Sequence, residues 1–276
     1  MDIAVVGLGL IGGSFCKAIK KYTSHKCLGL DTDPNVLSAA LAEGAIDAAI
    51  SADNLNEADI SIICLYPEQI VAFAKENINR FKKGSLVLDA GGVKAEICEK
   101  LFLVFEGSGV SFVGAHPMAG REFSGYANSD ADLFLGASFI VCPYQKTPDE
   151  KIKAIESLSK ELGFLKFVVA DPHEHDRIIA YTSQLAHIVS NAYVKSPVID
   201  SKAGFFAGSF LDLTRVARLN EEMWSSLMLL NRAHLADELK NLMGNLNKYL
   251  AALNSGDSET LRGLLREGRE IKEKSE

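Results

Sequence analysis

The strongest constraint on the fold is a glycine-rich segment near the start of the chain. Gly7-Leu8-Gly9-Leu10-Ile11-Gly12 follows the apolar run Asp2–Val6 directly and precedes a helix-like stretch, Ser14–Lys21. Its three glycines suit a tight turn, a close approach of the backbone to a ligand, and close packing of a helix on a strand, in that order. The sequence therefore predicts that the chain opens with a strand, a tight turn and a helix.

The same alternation of short apolar runs and helical patterns continues to about residue 170. It predicts an α/β fold with a doubly wound, mostly parallel sheet of the Rossmann type, because parallel strands need helical crossovers. The predicted helices are Ser14–Lys21, Pro34–Glu43, Pro67–Phe81, Lys94–Leu103 and Pro148–Leu162. The predicted strands are Asp2–Val6, Lys26–Leu30, Ile60–Cys64, Ser85–Asp89, Val110–Gly114, Ala137–Cys142 and Leu165–Val169.

The character of the sequence changes after Asp171-Pro172, and no strand-like run follows. The patterns there predict helices over His173–Lys195 and Glu221–Leu253, then a charged stretch from Asp257. We therefore expect two domains, a dinucleotide-binding domain over 1–170 and an all-helical domain over 171–276.

A stripe of large apolar residues runs along the longest predicted helix. Such a stripe must be buried, and a helical domain of this size offers little core to bury it. We therefore expect the helical domain to form a homodimer. The stripe consists of Trp224, Leu227, Leu230, Leu235, Leu239, Leu242, Leu246, Leu250 and Leu253.

Composition excludes several classes of protein. The 276 residues are 47% hydrophobic and 24% charged, and the net charge of −7 gives a nucleic acid no overall attraction. We expect neither a membrane span nor a signal peptide, because no apolar run is long enough and no basic segment precedes one. The five cysteines form no C-x-x-C pair, which favours the cytoplasm.

The glycine-rich segment predicts a dinucleotide site. Gly7, Gly9 and Gly12 would let the pyrophosphate approach, while the free N–H groups of the helix start, around Leu10 and Ile11, would bind the phosphates. Asp31, about twenty positions later, ends the second strand. Its carboxylate would accept the ribose hydroxyls and repel a 2′-phosphate, so we expect NAD rather than NADP.

His116 lies in Gly114-Ala115-His116-Pro117-Met118-Ala119-Gly120, which we expect to follow the fifth strand as a loop. Ligands of such sheets bind beyond the carboxyl ends of the strands. A histidine there can hold or take a proton near neutral pH.

The predicted helix over His173–Lys195 carries polar residues without a charge on one face: Ser183, His187, Ser190 and Asn191. Such a face favours the lining of a ligand cleft over a solvated exterior. His173 and His175 form an H-x-H pair, but no carboxylate or thiolate stands at ligand spacing, so we expect no metal. We interpret His175-Asp176 as part of a helix start.

Taken together, these segments resemble the prephenate dehydrogenase family, which includes the arogenate-using enzymes. The resemblance covers nearly the whole chain, and the order of its motifs is far more specific than any single one. They are residues 7–14, Asp89–Lys94, 114–125, His175-Asp176, Ser183–His187, Asp212–Arg215 and Met223-Trp224.

The resemblance implies a Rossmann-type domain followed by a helical dimerisation domain, and NAD-dependent oxidative decarboxylation of prephenate in tyrosine biosynthesis. It implies that His116 is the catalytic histidine and that Arg215 binds the ring carboxylate. By the same resemblance His187 would belong to the substrate pocket and Glu122 would shape or gate it, while Ser183, on the polar face described above, is expected to line the same pocket. The length leads us to expect a monofunctional enzyme without a chorismate mutase segment or a regulatory domain.

Two positions depart from the family. Many members have serine where this chain has Gly92, and histidine where it has Gln184. Three alternatives stay open: an arogenate dehydrogenase, a β-hydroxyacid dehydrogenase, and a dinucleotide-binding module without catalysis. The second is disfavoured because that family relies on a helical lysine, where this chain offers His187 and Arg215.

Overall fold

The computed structural model describes residues 1–201 and 204–275, and within them it forms one eight-stranded sheet followed by helices. The strands are β1 Asp2–Val6, β2 Lys26–Leu30, β3 Ala48–Ala49, β4 Ile60–Ile63, β5 Leu86–Asp89, β6 Ser111–Pro117, β7 Ser138–Pro143 and β8 Lys166–Val169. Their order is β3-β2-β1-β4-β5-β6-β7-β8, and every neighbouring pair is parallel except β6 and β7. The predicted doubly wound, mostly parallel sheet is thereby confirmed.

Five helices cover the two faces of this sheet: α1 Leu10–Tyr22, α2 Pro34–Ala42, α3 Pro67–Asn77, α4 Ala95–Phe105 and α5 Asp149–Glu161. Alternate residues of β1 enter different cores, with Ile3 and Val5 in one and Ala4 and Val6 in the other. Because side chains alternate along a strand, a strand buried on both faces is apolar throughout. That is why the apolar runs located the strands.

The antiparallel pairing of β6 with β7 changes the predicted setting of His116. We expected a loop after a strand ending at Gly114, but β6 continues to Pro117 and pairs His116 with Ile140. The expectation of a loop histidine was wrong because pairing with β7 extends the strand. The imidazole therefore projects from a fixed backbone at the carboxyl end of β6.

The second part of the chain is helical in the residues described. Its helices are α6 Pro172–Ile179, α7 Leu185–Tyr193, α8 Gly208–Thr214, α9 Glu221–Leu230, α10 Arg232–Ser255 and α11 Ser258–Ser275. A wide π-helical turn, Ala180–Gln184, joins α6 to α7. The charged stretch from Asp257 forms α11, where Arg269 and Glu273 pair one turn apart.

The single long helix predicted over Glu221–Leu253 was wrong. It breaks at Asn231, whose backbone leaves the helical region between α9 and α10. The buried Asn231 amide donates hydrogen bonds to the carbonyl oxygen of Asp176 and to Oε1 of Gln184, both at 2.8 Å. These bonds to another helix hold the residue out of the helical path.

The leucine stripe divides at the same place. Leu227 and Leu235 are buried, whereas Leu246, Leu250 and Leu253 of α10 are 56%, 54% and 63% exposed. The distal half of α10 thus presents a row of large apolar side chains. None of the described helices is long and apolar enough to cross a membrane.

Candidate active site

The glycine-rich turn between β1 and α1 has the shape that a bound pyrophosphate needs. Gly7 has a φ of +84°, and a Cβ there would lie 2.6 Å from Cδ2 of Leu65. A Cβ on Gly12 would lie 1.9 Å from the carbonyl oxygen of Gly7, so the helix packs against the turn. A Cβ on Gly9 would meet no atom within 4 Å, which leaves open space above that residue.

The start of α1 is suited to an anion. No side chain caps its N-terminus, which begins at Leu10 and Ile11, and its first turn carries no acidic residue. The free N–H groups and the positive end of the helix dipole therefore face the space above Gly9. A pyrophosphate fits this arrangement.

Asp31 ends β2 beside the same turn. Its Oδ2 accepts the Leu8 N–H at 2.6 Å and its Oδ1 accepts the Asp33 N–H at 2.9 Å. These two bonds fix the carboxylate, and no lysine or arginine stands among the residues that follow it to Pro34. The residues present therefore fit NAD.

His116 begins a chain of hydrogen bonds into the helical part. Its Nδ1 lies 2.9 Å from Nε2 of His175, and Nδ1 of His175 lies 2.7 Å from Oδ1 of Asp176. His175 and Asp176 are buried, with 2% and 3% of their surface exposed. The sheet and α6 are thus joined through a carboxylate and two imidazoles.

Asp176 also holds the start of α4. Its Oδ1 accepts the Lys94 N–H at 2.7 Å and its Oδ2 accepts the Ala95 N–H at 2.9 Å. Our interpretation of His175-Asp176 as a helix start was wrong, because Asp171 caps α6 by accepting from the N–H groups of His173 and Glu174.

A second charged pair lies behind His116. The Lys94 ammonium donates to Oδ2 of Asp89, and both side chains are fully buried. Oδ1 of Asp89 accepts the N–H of Ala115, the residue before His116, at 3.1 Å. A buried pair needs such extra hydrogen bonds to offset the loss of hydration.

This environment keeps the His116 ring neutral. Although the residue retains some exposed surface, shielding from water lowers the pKa of His116 well below 6.5. The neighbouring His175 and Lys94 side chains act on this pKa in the same direction. A neutral imidazole can accept a proton on one nitrogen.

The other predicted substrate residues form a cluster next to α9. Nη1 of Arg215 donates to Oε1 of Glu122 at 2.5 Å, and both groups influence the pKa of His187. Nδ1 of His187 donates to the carbonyl oxygen of Ser183 at 3.0 Å, so Nε2 carries the lone pair of the neutral ring. Partial burial is the main cause that lowers the pKa of His187.

Helix α9 connects this cluster with His116. The ring of Trp224 stacks on His187 with the centroids 3.8 Å apart. One turn later, Leu227 lies 3.4 Å from the position of a Cβ on Gly92, and that position is 3.9 Å from Nε2 of His116. His116, His187 and Arg215 therefore border the same junction between the sheet and the helices.

Sequence reasoning missed His175, Asp176, Lys94 and Trp224 as parts of this junction. Their place in the resembling motifs was the available signal, but their contacts join distant segments. The polar face of α7 was also only partly understood, since Ser190 is fully buried and Asn191 donates to the carbonyl oxygen of Ala217. No cluster of three or more potential metal ligands occurs within the described parts of the chain.

Two family models match nearly the whole chain. The nucleotide-binding domain of prephenate dehydrogenase matches residues 15–167, and the dimerization domain of prephenate dehydrogenase matches residues 171–267.

Individual relatives agree with the family models. Prephenate dehydrogenase of Lactococcus lactis subsp. cremoris is 31% identical over 286 residues, covering 99% of this chain and 77% of its own length. That of Bacillus subtilis is 31% identical over 271 residues, covering 94% of this chain and 72% of its own length.

A solved structure is similar over the whole chain. Prephenate dehydrogenase of Aquifex aeolicus, in complex with hydroxyphenyl propionate and NAD+, superposes with a TM-score of 0.86 at 25% identity. The match covers 100% of this chain and 98% of that one. With both domain models matched in order over this shared fold, the chain belongs to the prephenate dehydrogenase family.

Proposed function

We propose that this chain catalyses the NAD-dependent oxidative decarboxylation of prephenate to 4-hydroxyphenylpyruvate, a step of tyrosine biosynthesis. The observation that carries the proposal is a neutral His116 at the same junction as Arg215, on the same carboxyl edge of the sheet as the dinucleotide turn. A substrate with a ring hydroxyl and a ring carboxylate needs one proton acceptor and one cation at this junction.

The glycine-rich turn would hold the cofactor. Gly7, Gly9 and Gly12 admit the pyrophosphate, the N–H groups at the start of α1 bind it, and Asp31 accepts the ribose hydroxyls. Bound NAD supplies the acceptor for the hydrogen and two electrons that leave the hydroxyl-bearing carbon.

His116 acts as the catalytic base in this proposal. Its Nε2 accepts the proton of the ring hydroxyl, so the O–H bond breaks and an N–H bond forms. The electrons of the O–H bond form the new carbonyl as hydride leaves the same carbon. The bond from the opposite carbon to carbon dioxide then breaks, and its electrons pass through the ring to the carbonyl oxygen, which takes back the proton from His116 as the aromatic phenol forms. Because aromatisation drives the reaction, the protein supplies mainly orientation and charge.

Arg215 binds the ring carboxylate. Its planar guanidinium matches a carboxylate with two parallel hydrogen bonds, and it already binds the Glu122 carboxylate. Glu122 therefore holds the arginine in place until substrate binds. His187 and Ser183 border the same space, with the His187 ring fixed between Trp224 and the Ser183 carbonyl.

We extend the proposal to assembly and location. Residues 1–170 bind the dinucleotide, and residues 171–276 complete the site and pair two chains into a homodimer. The exposed leucines of α10 support the pairing, because large apolar surfaces usually meet a partner. The five free cysteines support a reducing compartment, the cytoplasm.

A spectrophotometric assay tests the proposed reaction. We expect NADH to form with prephenate and NAD, together with an equal amount of 4-hydroxyphenylpyruvate, and far less product with NADP. Turnover of arogenate alone would make the chain an arogenate dehydrogenase. NAD binding without turnover of either substrate would make it a dinucleotide-binding module.

A further inference from the structure

His116 has one hydrogen-bonding side-chain partner among the described residues, and that partner lies in the helical part of the chain. Nδ1 of His116 is 2.9 Å from Nε2 of His175, and the two rings are inclined by 63°. The next link joins Nδ1 of His175 to the carboxylate of Asp176 at 2.7 Å. These three side chains belong to β6 and α6, so the contact forms only when the sheet and the helices are packed together.

Hydrogen-bond chemistry fixes where the protons are in this chain of contacts. The Asp176 carboxylate already accepts two backbone N–H groups, from Lys94 and Ala95. A carboxylate can only accept, so Nδ1 of His175 must carry a proton. Nε2 of a neutral His175 is then an acceptor, and Nδ1 of His116 must be the donor.

We propose that His175, oriented by Asp176, is a positioning residue that holds His116 in the tautomer with its proton on Nδ1 and its lone pair on Nε2. The nitrogen left free is the one that faces Gly92, where a Cβ would lie 3.9 Å away. The proposal rests on the proposed function in one respect, since the free Nε2 is the atom that takes the substrate proton.

The surroundings of His175 and Asp176 are consistent with a positioning role. His175 is buried with 2% of its surface exposed, and α4 and the Asn231 amide both bind Asp176. The positions of His175 and Asp176 are therefore fixed. The charged or titratable groups that face the two histidines are Asp176 on α6, and Asp89 and Lys94 before α4. When His116 becomes positive by taking the substrate proton, its Nδ1–H still donates to His175 and the Asp176 charge lies one ring away.

The hydrogen bonds from His116 to His175 and Asp176 also explain why a glycine is tolerated at position 92. Family members with serine at this position have a hydroxyl beside the histidine, whereas here the described contacts of His116 run through His175. The tautomer is therefore set from the Nδ1 side, and nothing on the Nε2 side is needed to set it.

Two variants separate an acceptor from a space-filling side chain. In His175→Gln, the side-chain carbonyl oxygen can take the place of Nε2 and accept from His116. In His175→Met, a side chain of similar length cannot. We expect His175→Gln to keep kcat within about threefold of the wild type, whereas His175→Met lowers kcat by about tenfold or more with little change in KM, because only part of the His116 rings then hold the productive tautomer and the ring is no longer oriented.

Nitrogen-15 NMR of histidine-labelled protein without substrate gives a second readout that does not depend on turnover. Above pH 7 we expect His116 and His175 both to carry the proton on Nδ1 in the wild type. His116 should keep that tautomer in His175→Gln and become a mixture in His175→Met. The chain has six histidines, and loss of single signals in His116→Asn and His175→Gln assigns the two rings.

The outcomes distinguish the two proposals. Protonation of Nε2 of His116 in the wild type, or equal kcat in the Gln and Met variants, would overturn the positioning role. The predicted tautomers together with no oxidation of prephenate would uphold it and overturn the proposed function. If His175→Met does not fold, the wild-type spectrum alone decides the tautomer.

Discussion

Arg215 and Glu122 form an ion pair between the two parts of the chain, with Nη1 of the arginine 2.5 Å from Oε1 of the glutamate. Glu122 lies in the segment after β6, and Arg215 follows α8. Hydrogen bonds from the backbone N–H of Glu122 and from the Arg215 guanidinium lower the pKa of Glu122, so the glutamate is a carboxylate at neutral pH. The arginine thus already binds a carboxylate of its own chain, and we propose that the ring carboxylate of the substrate binds the same guanidinium.

Replacing this arginine should weaken binding more than turnover. We expect Arg215→Ala to raise the KM for prephenate by about 10- to 100-fold, since a charge-assisted hydrogen bond contributes roughly 1.5–3 kcal/mol. Glu122→Gln is the matched control, because it breaks the ion pair but leaves the guanidinium, and its KM should not rise comparably. Steady-state kinetics of both variants decide this, and an unchanged KM in Arg215→Ala would remove the residue from the site.

A serine at position 92 should fit. Its Cβ would make ordinary contacts with Leu227 at 3.4 Å and would lie 3.9 Å from Nε2 of His116. We expect Gly92→Ser to keep the Tm and to raise kcat/KM by about fivefold over Gly92→Ala, the equivalent of one net hydrogen bond of ~1 kcal/mol. Equal kcat/KM in the two variants would show that the hydroxyl does not reach the reacting groups.

Asp31 should decide between NAD and NADP. In Asp31→Asn one side-chain oxygen remains to accept the Leu8 N–H, but the charge that repels a 2′-phosphate is gone. We expect the KM for NAD to rise about tenfold, as expected for weakening a hydrogen bond to a charged group, and the preference over NADP to shrink. Kinetics with both cofactors measure this, and an unaltered preference would contradict the role of Asp31.

The exposed leucines of α10 should hold the dimer together. Leu246 and Leu250 are 56% and 54% exposed in the single chain. Glutamate at both positions would bury charge in an apolar interface, so we expect the double variant to be monomeric by light scattering. Lys240→Glu, at a side chain 75% exposed in a charged pair on the same helix, is the control and should remain dimeric. A monomeric wild type would contradict the proposed pairing.

Local patterns predicted the architecture well, for physical reasons. Buried parallel strands are apolar throughout, and glycines mark the turn at Gly7, so the sheet and its dinucleotide turn could be located. The two-residue strand β3, Ala48–Ala49, was missed because it is too short to form a pattern.

The remaining errors come from contacts between distant residues. The break at Asn231 depends on hydrogen bonds to Asp176 and Gln184, and the spacing of apolar residues along the helix does not predict these bonds. The bond from Lys94 to Asp176 joins residues 82 positions apart. The motifs therefore indicated His116, Arg215 and His175, but only the packing of α6 against the sheet revealed that His175 contacts His116.

The role of His116 as the base is tested by the pH dependence of kcat/KM for prephenate, compared between the wild type and His116→Asn. The reactive ring is the neutral one, so activity should fall as the pH falls through a pKa that burial holds well below 6.5. We predict an acid limb below pH 6.5 in the wild type, and in His116→Asn a kcat lower by about 10²- to 10⁴-fold without that limb. An acid limb that survives in His116→Asn would contradict the assignment of His116 as the base.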